Sequence, residues 1–433
     1  MDTTISSDEK VIAHQRWVRI IPLAVVMYIL AFIDRINVAM ILPYVNKSFG
    51  LTAGAIGFAA GIFFVGYMML PIPGGLLASR WSPKKIVAIL MVLWAIPAMA
   101  TGLVQNLTQL YVARFVLGFF AGGVWPTVLV LLTAWFPQKE RARANALWMT
   151  CLPLSAIIMT PLTGWMLTVM TWRWVFIIQG APPLLWVVIW WLLIADRPSE
   201  ASWISKEERN YIEKHLAADA AKTPPSLGYW AAITEPKVLW LLMAYFFWMA
   251  GFYGFTMWAP SVVKSFSGSG QSELVGWLSA IPFVFALVAM VVNSTWSDRR
   301  MKRQMHVAIP LILGAMGLVG GQFVGHWPLM QMICLLVAAI GVYSPFGPFW
   351  TVPSTLLHKD VAGAAMGIIN LGNLGGFLGP YVVGYIRGRT HSGFAGFLVL
   401  SAFLIISAVI LIFLGSDKKH ADLAEAGADT IIE

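Results

Sequence analysis

The stretch that decides the fold is "IIPLAVVMYILAFIDRINVAMILPYV", residues 20–45. It is apolar over more than the roughly 20 residues a helix needs to cross a bilayer. Yet Asp34 and Arg35 stand side by side near its middle. Working outward from it, runs of the same kind recur along the chain. Of its 433 residues 59% are hydrophobic and only 11% are charged. A soluble domain carries about 25% charged residues, so this composition specifies an integral membrane protein. The 21 Trp suit rings that anchor many helices at the lipid boundaries. In such a chain the +9 net charge informs through its placement, and a lipid bilayer rather than nucleic acid is the expected partner. Cys151 and Cys334 both fall in apolar runs, which suits packing and gives neither a disulfide framework nor a metal site. No cofactor is expected. The polar "MDTTISSDEKVIAHQRW" is not expected to be a cleavable leader.

Twelve spans are predicted, at 18–44, 53–78, 84–104, 108–134, 144–168, 174–195, 238–263, 273–295, 305–325, 328–353, 361–386 and 394–415. The long polar segment lies between the sixth and the seventh. It contains "SKEERNYIEKHLAADAAK" (205–222), which predicts a short amphipathic helix, and then "TPP" (223–225), which would break it. The expected fold is therefore all-α, with a six-helix bundle over 1–195, a cytoplasmic linker over 196–237, and a second six-helix bundle over 238–433 that ends in a short cytoplasmic tail. Lys and Arg set the orientation. One face collects Arg16, Arg19, Arg80, Lys84, Lys85, Lys139, Arg141, Arg143 and the linker cations; the other holds only Lys47, Arg173, Lys264, Arg387 and Arg389. Both termini are expected in the cytoplasm.

The halves echo one another. "GGLLASRWSPKK" (74–85) and "NSTWSDRRMKR" (293–303) are tight basic turns after the second span of each half. Two related halves around a central site are a transporter architecture. Small residues at four-residue spacing, Gly57/Gly61, Gly118/Gly122 and Gly375/Gly379, would let helices approach closely.

Three charged residues lie well inside spans: Asp34, Arg35 and Arg114. No His does: His14, His215, His306, His326, His358, His391 and His420 all fall elsewhere. A charge at mid-span costs at least ~2.5–3.5 kcal/mol and marks function by default. A structural ion pair locking the first span to the fourth is the alternative. It leaves one Arg in surplus, and apolar packing often replaces such pairs without loss. Surplus positive charge in a cavity is suited to an anionic ligand, which the planar guanidinium fork grips at two points. Asp34 is then the carboxyl available as a proton carrier. Burial favours its neutral form and the neighbouring Arg its ionised form. A substrate carboxylate that engages the cations would ease proton uptake, so that proton and anion bind together.

The chain resembles the major facilitator superfamily, and within it the anion:cation symporter family of hexonate, tartrate, phthalate and aromatic-acid porters. The matching stretches are "FIDRINVAM" (32–40), "PIPGGLLASRWSPKK" (71–85), "RFVLGFFAGGVWP" (114–126), "WFPQKERARANA" (135–146), "TWRWVFIIQGAPP" (171–183), "IADRPSEASWISKEER" (194–209) and "GIINLGNLGGFLGP" (367–380). The resemblance implies a proton-carrying role for Asp34, substrate contact by Arg35, Arg114 and Tyr67, and polar contacts near Trp350, Asn370 and Asn373. It implies gating by Arg80 and by Asp298–Arg299 in the loops after the second and eighth spans. Two departures stand out. Ser79 precedes Arg80 where the family usually has an acid, and Ala121 occupies the place, seven residues after Arg114, where relatives often carry a Glu. One carboxyl in the cavity limits coupling to one proton per anion.

The expected function is import of a small organic anion, a sugar acid or other carboxylate, by proton symport with alternating access, by a monomer in the inner membrane. Uniport or anion exchange of an aromatic or dicarboxylic acid is the alternative. Drug or cation efflux wants net negative charge in the cavity. A sensor would keep the same ligand site without transport. The spans show no constellation of an enzyme.

Overall fold

The computed structural model describes residues 14–222, 228–268, 271–300, 302–325, 327–357, 359–390 and 395–429. Among the described residues twelve helices are long and apolar enough to cross a membrane: α1 (Gln15–Phe49), α2 (Ala53–Arg80), α3 (Pro83–Leu103), α4 (Leu107–Trp135), α5 (Gln138–Val169), α6 (Trp172–Leu193), α7 (Pro236–Ser267), α8 (Ser272–Arg300), α9 (Arg303–Phe323), α10 (Pro328–Phe349), α11 (Ala364–Thr390) and α12 (Ala395–Leu414). They form two six-helix bundles. The spans read from hydropathy match to within a few residues. The largest miss is the start of α5, because "QKERAR" continues the helix as polar residues and hydropathy does not see a polar turn.

The segment between α6 and α7 contains a 17-residue helix, Lys206–Lys222, where a short one was expected. The helix-breaking role given to residues 223–225 lies outside the described residues, as do His326, His358 and His391. This linker helix is docked. Glu208, fully buried, accepts from the backbone N–H of Gln15 at 3.0 Å and from Arg16 Nη1 at 2.6 Å. Arg16 Nη2 donates to both oxygens of Glu140 at 2.9 and 2.7 Å, and the Tyr211 hydroxyl donates to Glu140 at 3.0 Å. Arg16, read from the sequence as one of the cations of the basic face, is therefore a buried tie between α1, α5 and the linker helix.

On the face opposite this basic one, the two bundles are in close contact. The Cα of Gly57 lies where a side chain would strike the backbone of Pro380, and Gly61 abuts Phe377 in the same way, so α2 and α11 pack without a gap. Gly164 of α5 meets Ser272 of α8, Gly276 meets Thr160, and the Tyr44 hydroxyl hydrogen-bonds the Ser272 hydroxyl. Small residues make these approaches by dispersion and shape, because lipid offers no hydrophobic drive between helices. On the basic face the bundles part around a cavity of about 370 Å³, lined among others by Lys139, Arg143, Met149, Thr150, Met290 and Asp298.

Candidate functional site

The inner end of that cavity stops at Met149 and Thr150. Next in the chain is Trp148, whose ring centroid lies 5.2 Å from that of Tyr28. Behind this aromatic layer sits Arg35, 7% exposed. Its guanidinium carbon lies 4.9, 5.1 and 4.6 Å from the ring centroids of Phe32, Phe63 and Tyr67. The hydroxyls of Tyr28 and Tyr253 face it, and its Nε is buried without a hydrogen-bond partner. No ion pair joins it to Asp34. Aromatic faces thus solvate this cation through their quadrupoles, worth up to about 2 kcal/mol each when desolvated. That leaves it without the full compensation a carboxylate would give.

Arg114 lies over the same Phe63 ring, at 5.1 Å. Its hydrogen bonds, however, go to backbone. Nη1 donates to the carbonyl of Asp34 at 2.9 Å and Nε to the carbonyl of Ala59 at 3.4 Å. Arg114 ties α4 to α1 and α2 and is 1% exposed. The two arginines differ in what they meet: Arg35 lies among rings, and Arg114 is tied to main-chain oxygens. The reason is local: α2 and α4 approach so closely at Gly118 and Gly122 that the Arg114 side chain reaches main-chain oxygens.

Asp34 is buried, on the same helix face as Asn37 three residues on, and the two side chains are in contact. Asn37 Nδ2 donates to Gln179 Oε1 at 2.9 Å. Gln179 Nε2 donates to Thr163 Oγ1 at 2.9 Å and to Met166 Sδ at 3.3 Å. A thioether only accepts, which fixes the Gln179 amide and through it the Asn37 amide. Asn37 Oδ1 is left as a fully buried acceptor without a donor.

The other bundle supplies the facing wall. Tyr253 packs against Phe64 across the interface, with ring centroids 4.2 Å apart and ring planes tilted by 52°. α11 is interrupted by a 3-10 turn, Leu371–Leu374, which places Asn373 and Asn370 together. Asn373 Nδ2 donates to Asn370 Oδ1 at 2.8 Å and to the Tyr245 hydroxyl at 3.4 Å. Trp350, half-buried just past α10, lies 5.2 Å from Tyr245, and its indole N–H is buried without an acceptor. Tyr67 ends the first segment of α2, which breaks before Pro71. Mid-span interruptions of this kind put backbone and polar groups where a ligand sits in transporters.

Asp34, Arg35, Arg114, Tyr67, Asn370, Asn373 and Trp350 thus gather in one region between the bundles. Ala121 is buried in α4. The loop residues Arg80, Asp298 and Arg299 lie apart, exposed on the basic face, with Asp298 3.9 Å from Arg303. Sequence reading missed Tyr28, Tyr253, Tyr245, Asn37 and Gln179. For Asn37 the three-residue spacing from Asp34 was a usable signal, and Gln179 is the one amide in "FIIQGAPP"; the tyrosines carried none.

The family model for the Major Facilitator Superfamily matches residues 24–380. A putative tartrate transporter of Agrobacterium vitis is 33% identical over 414 residues, covering 93% of this chain and 91% of that protein. A quinolone resistance transporter of Acinetobacter baumannii is 29% identical over 404 residues, covering 90% of this chain and 92% of that protein. Among solved structures, the xylose transporter from E. coli in a partially occluded inward-open conformation superposes with a TM-score of 0.71 at 13% identity, covering 90% of this chain and 96% of the other. With the fold, the interrupted helices and the family match in agreement, this multi-pass membrane protein belongs to the Major Facilitator Superfamily of transporters.

Proposed function

We propose that the protein imports a small hydroxylated carboxylate, such as a sugar acid or hydroxy acid, across the inner membrane by symport with one proton. The observation that carries this reading is Arg35: a buried cation in an aromatic cage, with no carboxylate partner and an acid beside it. A substrate carboxylate completes its fork, and the hydroxyls of Tyr28, Tyr67 and Tyr253 with the amides of Asn370 and Asn373 suit the substrate's hydroxyl groups. The similarity to a tartrate transporter supports a carboxylate. The basic face, by the distribution of Lys and Arg, is cytoplasmic, and both termini lie there.

Coupling rests on Asp34. When it is protonated, the charge beside Arg35 is removed. The cation is then free to bind the substrate anion, so each ligand favours the other. The segments 1–195 and 238–433 rock about this site, with 196–237 as the connection. Arg114 holds α1, α2 and α4 as one body and adds its field to the site. Arg80 and Asp298–Arg299 guard the cytoplasmic mouth. A monomer suffices, since one chain contains the whole site.

A second reading, export of an aromatic carboxylic acid, is favoured by the quinolone-resistance relative and by the ring-rich cage. It needs the same cation and differs in direction. Proteoliposomes decide between them. An inward-directed pH gradient should drive accumulation of a hydroxy acid, and voltage alone should not move a monoanion carried with one proton. Accumulation driven by voltage alone contradicts one-proton symport.

A further inference from the structure

The face opposite the basic one is poor in charge, but its cations are not scattered. Arg173 is tied to backbone, donating to the carbonyls of Gly102 at 3.2 Å and Val104 at 2.6 Å. Lys47 at the end of α1, Lys264 at the end of α7 and Arg387 at the end of α11 line a single cavity of about 370 Å³, whose other polar lining is Asn46, Ser261 and Ser265. No acid lines it. The described acid on this face, Glu273, is exposed and makes no ion pair with them. The cations rest on rings instead. Lys47 Nζ and Lys264 Nζ both lie 5.8 Å from the Tyr44 ring centroid, and the Arg387 guanidinium lies 5.1 Å from that of Trp258.

Lys47 belongs to the first bundle, Lys264 and Arg387 to the second. Closure of this face, through Gly57 and Gly61 against α11 and Tyr44 against Ser272, is what brings the three together. Like charges gathered in one cleft repel, and a bound anion turns that repulsion into attraction. We propose that this vestibule is a second anion site, separate from Arg35, for a small polyvalent anion: an inorganic oxyanion or a di- or tricarboxylate. Because such an anion touches both bundles only when this face is closed, its binding holds the face closed.

The test uses the purified full-length protein with Cys334→Ala and a reporter, Ser265→Cys, in the cavity wall; Cys151 is buried. Sulfate, against chloride at equal ionic strength, should slow maleimide modification of the reporter about tenfold, and the protection should survive Arg35→Met. It should disappear with Lys264→Gln plus Arg387→Gln. In a second reporter, Thr150→Cys in the opposite cavity, sulfate should speed modification several-fold. A tricarboxylate that protects where sulfate does not identifies an organic ligand for the same site. Absence of protection by either anion, or protection that survives the double substitution, overturns the site. Protection lost in Arg35→Met would assign the effect to the central site instead, and an unchanged rate at Thr150→Cys overturns the clamping role.

Discussion

Arg16 and Arg35 lie on the same helix, both buried, and differ in what surrounds them. Arg16 is gripped by two carboxylates, Glu208 at 2.6 Å and Glu140 at 2.7 Å. Arg35 has rings and hydroxyls and no carboxylate. The first arrangement gives the cation two carboxylate partners, although its Nε, like that of Arg35, has no hydrogen-bond partner, and the network fastens the linker helix to the bundle. The second is open on one side. A buried cation left incomplete lowers stability, and retaining it makes sense where a ligand completes it. The difference separates a charge that builds the protein from a charge that works in it.

The largest contrast follows from removing each cation. Arg16→Met leaves Glu208 buried without its counter-ion, which costs about 3–5 kcal/mol; the melting temperature in detergent should fall by several degrees or the protein should fail to accumulate. Arg35→Met removes an uncompensated charge, so its melting temperature should hold or rise while uptake falls by a hundredfold or more, consistent with about 2–5 kcal/mol for truncating a buried charge partner. Arg35→Lys should not restore uptake, since an ammonium lacks the planar fork and ring stacking.

Next in size is Asp34→Asn. It should lose uptake driven by a pH gradient, and the remaining transport should be independent of pH, while exchange of labelled for unlabelled substrate persists. Loss of exchange as well would make Asp34 structural, like Glu208. The tethered Arg114 offers an intermediate case. Arg114→Gln should lower both melting temperature and uptake, because it breaks the backbone ties to Asp34 and Ala59 and also removes a charge from the site.

The smallest expected effect sharpens the role of the neighbouring amide. Asn37→Leu removes an amide in contact with Asp34 whose N–H favours the ionised carboxylate. The falling limb of the uptake–pH curve should move to more alkaline pH by less than about one unit. A shift towards acid pH would mean that Asn37 Oδ1 accepts from a protonated Asp34.

The spans were legible in the sequence because twenty apolar residues announce a crossing helix regardless of its neighbours. Asp34, Arg35 and Arg114 were legible for the same reason reversed: a charge at mid-span has no cheap explanation. What surrounds them was not. Whether Arg114 meets a carboxylate or the carbonyl of Asp34 depends on how closely α2 and α4 approach, which Gly118 and Gly122 permit without specifying. Tyr253 is one aromatic among many in "YFFWMAGFYGF", and only the rotation of α7 turns its hydroxyl towards Arg35. Arg16 was legible as a cation of the basic face, but its burial was not, because the linker helix laid over it is distant in sequence.

The central claim is that Arg35 is stabilised by the substrate carboxylate and by nothing else as good. Thermal unfolding of purified wild type, Arg35→Met and Arg16→Met with and without a panel of hydroxy acids tests it directly. The account predicts that one or more acids raise the melting temperature of wild type, by the mass action of binding to the folded state. It also predicts that they leave Arg35→Met unmoved, although its ligand-free melting temperature is no lower than that of wild type. A drop in Arg35→Met as large as that in Arg16→Met, with the ligand shift retained, would contradict it.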